Sequence, residues 1–262
     1  MRNGKGCRGG EVYDEPGVRD RYLRHRHSGT ASPNVVMEEP HLLAVLGGLH
    51  GAAVLDLGCG DGSSASLTLD LGAASYIGVD GSAAMIDAAQ ASQDDPRAKF
   101  VHASIEELAL PPASFDLVMS RMALHYVEHL APVLFMIRRL LRPGGRFVFS
   151  VTHPVITSYL PVQTGPRTDW TVDDYFVRGP RERPWFGTTV TWHHRTVEDY
   201  FVAINDVGLR VKHLRECEPA AELLVANSSE LARRRRVPLI LLLSAVAPDD
   251  DTIAGQAQQQ WE

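Results

Sequence analysis

The stretch from Ala53 to Ser63, AVLDLGCGDGS, constrains the fold more than any other part of the chain. Apolar Ala53, Val54, Leu55 and Leu57 bracket a single acid, Asp56, and run into Gly58, Gly60 and Gly62 at every second position. An apolar run that ends in glycines and opens into a helical pattern predicts a buried parallel strand, a ligand-cradling loop and a helix. Glycine is needed where the main chain turns through positive dihedrals and where a ligand approaches the backbone. A nucleotide-like ligand is therefore expected at the end of the first strand.

Further motifs follow in register. Tyr76 to Ser82, YIGVDGS, reads as a second strand ending in Asp80, from which a carboxylate can accept hydrogen bonds from both ribose hydroxyls. Then come FVHASIEEL (100–108), SFDLVMS (114–120) and LLRPGGRFVFS (140–150). The G-x-G-x-G spacing and this ordered series together resemble the class I S-adenosylmethionine (SAM)-dependent methyltransferase family, of the small-molecule type, with specific motifs from about Asn34 to Ser150.

The resemblance implies an α/β fold: a Rossmann-like, doubly wound sheet of seven strands, six parallel and one antiparallel, with an aromatic insertion after the fifth. It implies SAM as methyl donor and S-adenosylhomocysteine as product. It places the methionine end over Gly58, Cys59 and Gly60, with Asp56 acting through the amino group or the loop. The ribose falls on Asp80 and Gly81, the adenine near Met85, Ser104 and Ile105, and the sulfonium near Ser120 and His125. At position 104 the family usually carries Asp, so Ser104 is a departure that leaves one hydroxyl acceptor. A leader that folds over the cofactor is also implied, with Tyr13, Arg19, Tyr22 and Arg26 as candidates.

A chain of 262 residues can bury a full core and suits one α/β domain with an insertion. The expected divisions are a leader (1–33), a SAM-binding core (34–152), a substrate-covering insertion (153–195), the rest of the sheet (196–248) and a disordered tail (249–262). Met1 to Val12 also read as disordered. A net charge of −6 gives no electrostatic reason for a nucleic-acid partner. Cys7, Cys59 and Cys217 lack metal spacing and suit reduced thiols in a cytoplasm; no membrane span is expected.

The insertion carries Trp170, Tyr175, Trp185 and Trp192, expected together with His193 to wall a small-molecule acceptor from water. His153 is the first candidate proton acceptor, with His193 and His194 behind it and His125 close to the methyl group. His125 and His129 stand four apart, but no third ligand accompanies them, so no metal is expected. The basic run Arg233 to Arg236 reads as a solvated helix flank. Attack by an oxygen, nitrogen or activated carbon of a small organic acceptor, possible in secondary metabolism, is the expected chemistry. Its rivals are a SAM-binding protein that catalyses a rearrangement or acts as a sensor, and a nicotinamide-dependent oxidoreductase.

Overall fold

A computed structural model of the chain describes residues 9–158 and 169–249. The central sheet has seven strands: β1 (Ala53–Leu57), β2 (Ser75–Asp80), β3 (Ala98–His102), β4 (Phe115–Arg121), β5 (Leu141–Thr152), β8 (Arg210–Glu216) and β9 (Ile240–Val246). Their order across the sheet is β3-β2-β1-β4-β5-β9-β8. β9 runs antiparallel to both of its neighbours, and the other described pairings in this sheet are parallel. The strand order reverses between β1 and β4, where open α/β sheets bind their ligands.

The apolar runs are continuous because both faces of the sheet are covered. Val54, Leu117, Met119, Val148 and Leu242 face one layer, containing α2 (Glu39–Leu46) and α3 (Ser63–Asp70). Leu55, Leu57, Val118, Phe147, Phe149, Leu241 and Leu243 face the other, containing α5 (Leu130–Leu140) and α7 (Val197–Asp206). In α5 the buried positions Leu130, Val133, Leu134, Ile137 and Leu140 recur at helical spacing. Each such side chain contributes about 1.5–3 kcal/mol on burial. A capping box of Thr196 and Asp199 starts α7. Ser82 likewise caps α4 (Ala83–Ser92) by accepting the Met85 amide.

Pro40 marks a break in the helical segment that leads into β1. A π-helical turn over Asn34–Glu38 passes into α2, which places Pro40 in its first turn, where the missing N–H costs little.

Other expectations are corrected. Val12 is fully buried, in a 3-10 turn spanning Gly9–Asp14, and packs with Ile156, Val190 and Trp192. The leader from Gly9 onward is therefore ordered and leads to α1 (Val18–Arg26). Residues 1–8, the prolines at 161 and 166, and the tail from 250 lie outside the described residues. After a short helix α6 (Pro154–Ser158), the insertion forms a hairpin of β6 (Gly179–Trp185) and β7 (Thr188–His194). Pro180 and Pro184 are exposed on β6, which is tolerated because a two-stranded ribbon has open edges. In α8 (Ser228–Arg234), Arg234 is buried rather than solvated, held by Glu230 and against the Met37 sulfur.

A buried ion pair ties the switch point to the layer around α2. Arg121, at the end of β4, donates from Nε and Nη2 to the two carboxylate oxygens of Glu38, at 3.1 and 2.9 Å. Ser150 Oγ donates to the same carboxylate at 2.6 Å. Burial opposes ionisation of Glu38, but the charge and hydrogen bonds of Arg121 prevail and hold its pKa down to about 2. Removing one partner leaves a buried charge uncompensated, which typically costs about 3–5 kcal/mol. Arg121→Ala is expected to destabilise by that amount in urea unfolding, and Glu38→Leu with Arg121→Met to recover most of it. Because the Glu38 pKa is depressed, the pair stabilises fully above the ordinary value of 4.5 and loses its effect as pH falls toward 2. The double variant should lack that acid-dependent loss.

Candidate active site

The glycine loop is pinned to β2. The amides of Gly58 and Cys59 both donate to the Val79 carbonyl, at 2.7 and 3.0 Å. Gly58 has φ +77, and a Cβ there would lie 2.4 Å from the Ala123 Cβ, so the loop and the segment after β4 meet only because that position is glycine. Gly60 has φ +57, but a Cβ would meet no heavy atom within 4 Å. Its constraint is therefore conformational, and its outer side is free for a ligand. The Cys59 side chain turns toward β2, its sulfur 2.8 Å from where a Cβ on Gly78 would sit, so only its backbone is offered to the cleft.

Two carboxylates flank the loop. Asp80 accepts the Gly60 amide at Oδ2 and the Ser82 amide at Oδ1, both at 2.9 Å. Burial pushes its pKa up against these two amides. Spare lone pairs on both oxygens remain for a diol. Asp56 is fully buried; its Oδ2 accepts the Tyr76 hydroxyl at 2.7 Å, while Oδ1 has no partner. Burial raises its pKa to about 6, against the Tyr76 hydrogen bond and the charge of Arg121. A buried carboxylate oxygen without a partner suits a cationic amine. The residues present thus fit the ammonium and ribose of SAM.

Around the expected adenine position, Ile105 comes within 3.8 Å of a Cβ on Gly58 and Met85 is buried at the start of α4. The Gly81 carbonyl lies 3.2 Å from His102 Nε2. Ser104 departs from its expected role: its hydroxyl donates to Glu106 Oε2 at 2.8 Å and accepts the Glu106 amide, capping a short turn. Ser120 is similarly occupied, donating to the Leu57 carbonyl at 2.7 Å, and so joins β4 to β1 rather than reaching the cleft.

The leader and the hairpin form one roof. A Cβ on Gly10 would touch the Gly81 backbone at 3.0 Å, and Asp14 accepts from the Ser82 hydroxyl and the Ala84 amide at the start of α4. Tyr22 packs against Tyr13, Trp185 and Phe186. Trp185 Nε1 donates to the Tyr13 hydroxyl, which lies 3.3 Å from that of Tyr126. Arg21 reaches the Phe186 carbonyl. At the far end of α1, Arg26 lies beside Ser63 and His27 meets Asp61 at 2.6 Å, bringing a guanidinium and an imidazole to the loop.

The histidines separate sharply. His153 accepts the Val155 amide at Nδ1 and meets Glu216 on β8 through Nε2, at 3.1 Å each, so it is a junction residue and not a free proton acceptor. His194 donates from Nε2 to the Tyr175 carbonyl and accepts the Thr157 hydroxyl at Nδ1, which leaves no nitrogen for chemistry. His193 and His129 line an open cavity of about 550 Å³ with Arg178, Asp199 and Ala203, to which no glycine-loop residue contributes. His125 follows β4 in the turn Leu124–Tyr126, two residues beyond Ala123, which abuts Gly58. Its Nδ1 accepts the Thr152 amide at 3.5 Å, and burial drives its pKa down to about 3. It is therefore a neutral ring that presents Nε2–H, a donor and not a base.

Of the expected acceptor wall, Trp185 and Trp192 belong to the roof, whereas Trp170 donates to the Val155 carbonyl and Tyr175 packs on His194 behind it. Sequence reasoning missed Glu38, Arg121, Asp14 and Tyr126. Only the position of Arg121, directly after the β4 motif, marked it.

Residues 55–149 match the family model described as a methyltransferase domain. Over 217 residues the chain is 34% identical to an uncharacterised protein of Haemophilus influenzae, covering 78% of this chain and 85% of that one. It is 39% identical over 109 residues to the malonyl-[acyl-carrier protein] O-methyltransferase of Pseudescherichia vulneris, but this spans only 42% of each chain. The crystal structure of a SAM-dependent methyltransferase from Mesorhizobium loti superposes with a TM-score of 0.74 at 37% identity, covering 80% of this chain and 97% of that one. The likeness extends over the sheet, the glycine loop and most of both chains, and the protein belongs to the class I SAM-dependent methyltransferase family, with SAM as its cofactor.

Proposed function

We propose that the enzyme methylates a small organic acceptor held between the glycine loop and the roof. The observation that carries this reading is the roof itself. Gly9–Asp14, α1 and the β6–β7 hairpin interlock over the carboxyl edge of the sheet through Tyr13, Tyr22, Trp185 and Arg21. A site covered by packed aromatics suits a small molecule better than a polymer. The likeness to an O-methyltransferase over 42% of its length supports an oxygen nucleophile.

In this reading Asp80 takes the ribose hydroxyls and Asp56 the ammonium. Arg26 stands where it can meet the carboxylate of the methionine end. Ile105 and Met85 flank the adenine. The bound cofactor supplies an electrophilic methyl group. The protein's part is alignment and exclusion of water, which can account for a large share of the rate.

Calorimetric titration with S-adenosylhomocysteine tests the cofactor assignments. Asp80→Ala removes the diol acceptor and one anchor of the loop, and affinity should fall by about tenfold or more. Unchanged affinity would remove Asp80 from the site.

Asp56 supplies a second test. Its folded pKa is raised, so its ionisation opposes folding increasingly as pH rises from the ordinary 3.8 to about 6, and by a constant amount above that. Asp56→Asn should therefore unfold at higher urea than wild type above pH 7, by about 1–3 kcal/mol. The difference should vanish below pH 4, and the affinity for SAM should drop. A variant that is no more stable at neutral pH would mean the buried carboxylate is already balanced by the protein.

A further inference from the structure

Beneath the roof, the groups beside His125 are hydrogen-bond donors and cations. Trp192 is 3% exposed, and its Nε1 is a buried donor without a hydrogen-bond partner. Tyr126 lies close enough to feel that N–H but outside hydrogen-bonding geometry. The His125 ring meets the Trp192 ring edge-on, at 5.1 Å between centroids, and stacks near Tyr126 at 4.5 Å. Arg183 lies over the Trp192 ring, 4.4 Å from its centroid. The charges that act on His125 are Arg183 and Arg195, both positive. Arg195 is itself committed to the carbonyls of Val127 and Glu128, so it contributes field rather than a free hand.

A buried indole N–H without a partner is costly unless a ligand satisfies it. The ligand that suits two neutral donors under a guanidinium, between flat rings, carries an anionic oxygen on a planar group. The histidines point the same way. His153 and His194 are engaged at both nitrogens, and His125 is a donor, so among them no base is poised to deprotonate an alcohol or ammonium.

Building on the small-acceptor reading, we propose that the acceptor is a carboxylate, held at one oxygen by Trp192 Nε1 and His125 Nε2 beneath Arg183 and methylated at the other. A lone pair of the free oxygen forms the O–CH3 bond as the CH3–S bond breaks, its electron pair staying on sulfur. The products are a neutral methyl ester and the thioether S-adenosylhomocysteine. No proton is released, so no base is required. The ester also loses the negative charge that drew the acceptor to Arg183, which favours its departure.

The test is a titration of the full chain with S-adenosylhomocysteine, followed, on the saturated protein, by benzoate, benzamide and 4-nitrophenolate, in wild type and Trp192→Phe. Benzoate is expected to bind about tenfold or more tightly than benzamide, and Trp192→Phe to lose about tenfold in benzoate affinity alone. S-Adenosylhomocysteine affinity serves as the check that the variant is folded. If it is not, the benzoate-to-benzamide ratio in wild type decides. Equal binding of the acid and its amide, benzoate binding untouched by a folded Trp192→Phe, or no benzoate binding at all would overturn the proposal. Tighter binding of 4-nitrophenolate would replace the carboxylate by a phenolate and overturn it too. Failure of wild type to bind S-adenosylhomocysteine would instead strike the underlying methyltransferase reading.

Discussion

The Asp80 carboxylate is the interaction on which the site depends. It stands at the end of β2, buried, and its two oxygens hold the amides of Gly60 and Ser82. One bond fixes the glycine loop; the other fixes the turn that starts α4. Ser82 then donates to Asp14, so the same carboxylate is linked at one remove to the roof. Burial raises the energy of the anion, and two backbone amides recover only part of what water gave it. A group in that condition gains from each further donor it receives, and this is the physical basis for proposing it as the acceptor of a ribose diol.

The switch point collects buried charge in a particular way. Glu38 and Arg121 neutralise one another bidentately, with Ser150 completing the carboxylate's shell. Asp56, one strand away, receives the Tyr76 hydroxyl at one oxygen, while the other has no partner in hydrogen-bonding geometry and only the Ser64 hydroxyl near the carboxylate. The contrast separates a charge that the protein itself compensates from one that it compensates only in part. The first pair raises the cost of any rearrangement at the base of the cleft, because parting it leaves two desolvated ions. The second stores unfavourable energy that a cationic ligand relieves. Arg121 of the compensated ion pair and the partly compensated Asp56 carboxylate thus stand on adjacent strands at the switch point.

The sheet was legible in the sequence because its determinants are local and periodic. Val54, Leu55 and Leu57 read as a strand covered on both faces, and the glycine spacing marked the turn that follows it. The Thr196–Asp199 box and the Ser82 cap were readable for the same reason. What stayed hidden depends on contacts far apart in the chain. Val12 lies in a glycine-rich, basic leader and looks disordered until Val190 and Trp192, nearly two hundred residues away, bury it. Ser104 read as an acceptor for a ligand because its partner, the Glu106 carboxylate, is set by a turn whose geometry the sequence does not state. Arg234 sat in a basic run, and only the placement of Met37 and Glu230 makes it a core residue.

The histidines carry this argument into chemistry. Spacing and proximity to strand ends made His153 and His194 look reactive, yet a ring nitrogen acts as a base only if its lone pair is unshared. Val155 and Glu216 occupy the first ring, and Thr157 and Tyr175 the second. His125 lies two residues beyond Ala123, which abuts Gly58, and burial together with nearby positive charges keeps it neutral far below neutral pH. None of His125, His153 and His194 therefore offers an unshared lone pair for deprotonating an acceptor. In the proposed reading the acceptor arrives already charged or already nucleophilic, and the protein's part is to exclude water and fix the line of attack. The interlocked aromatics of the roof and the rigid floor beneath the glycine loop are both explained by that single demand.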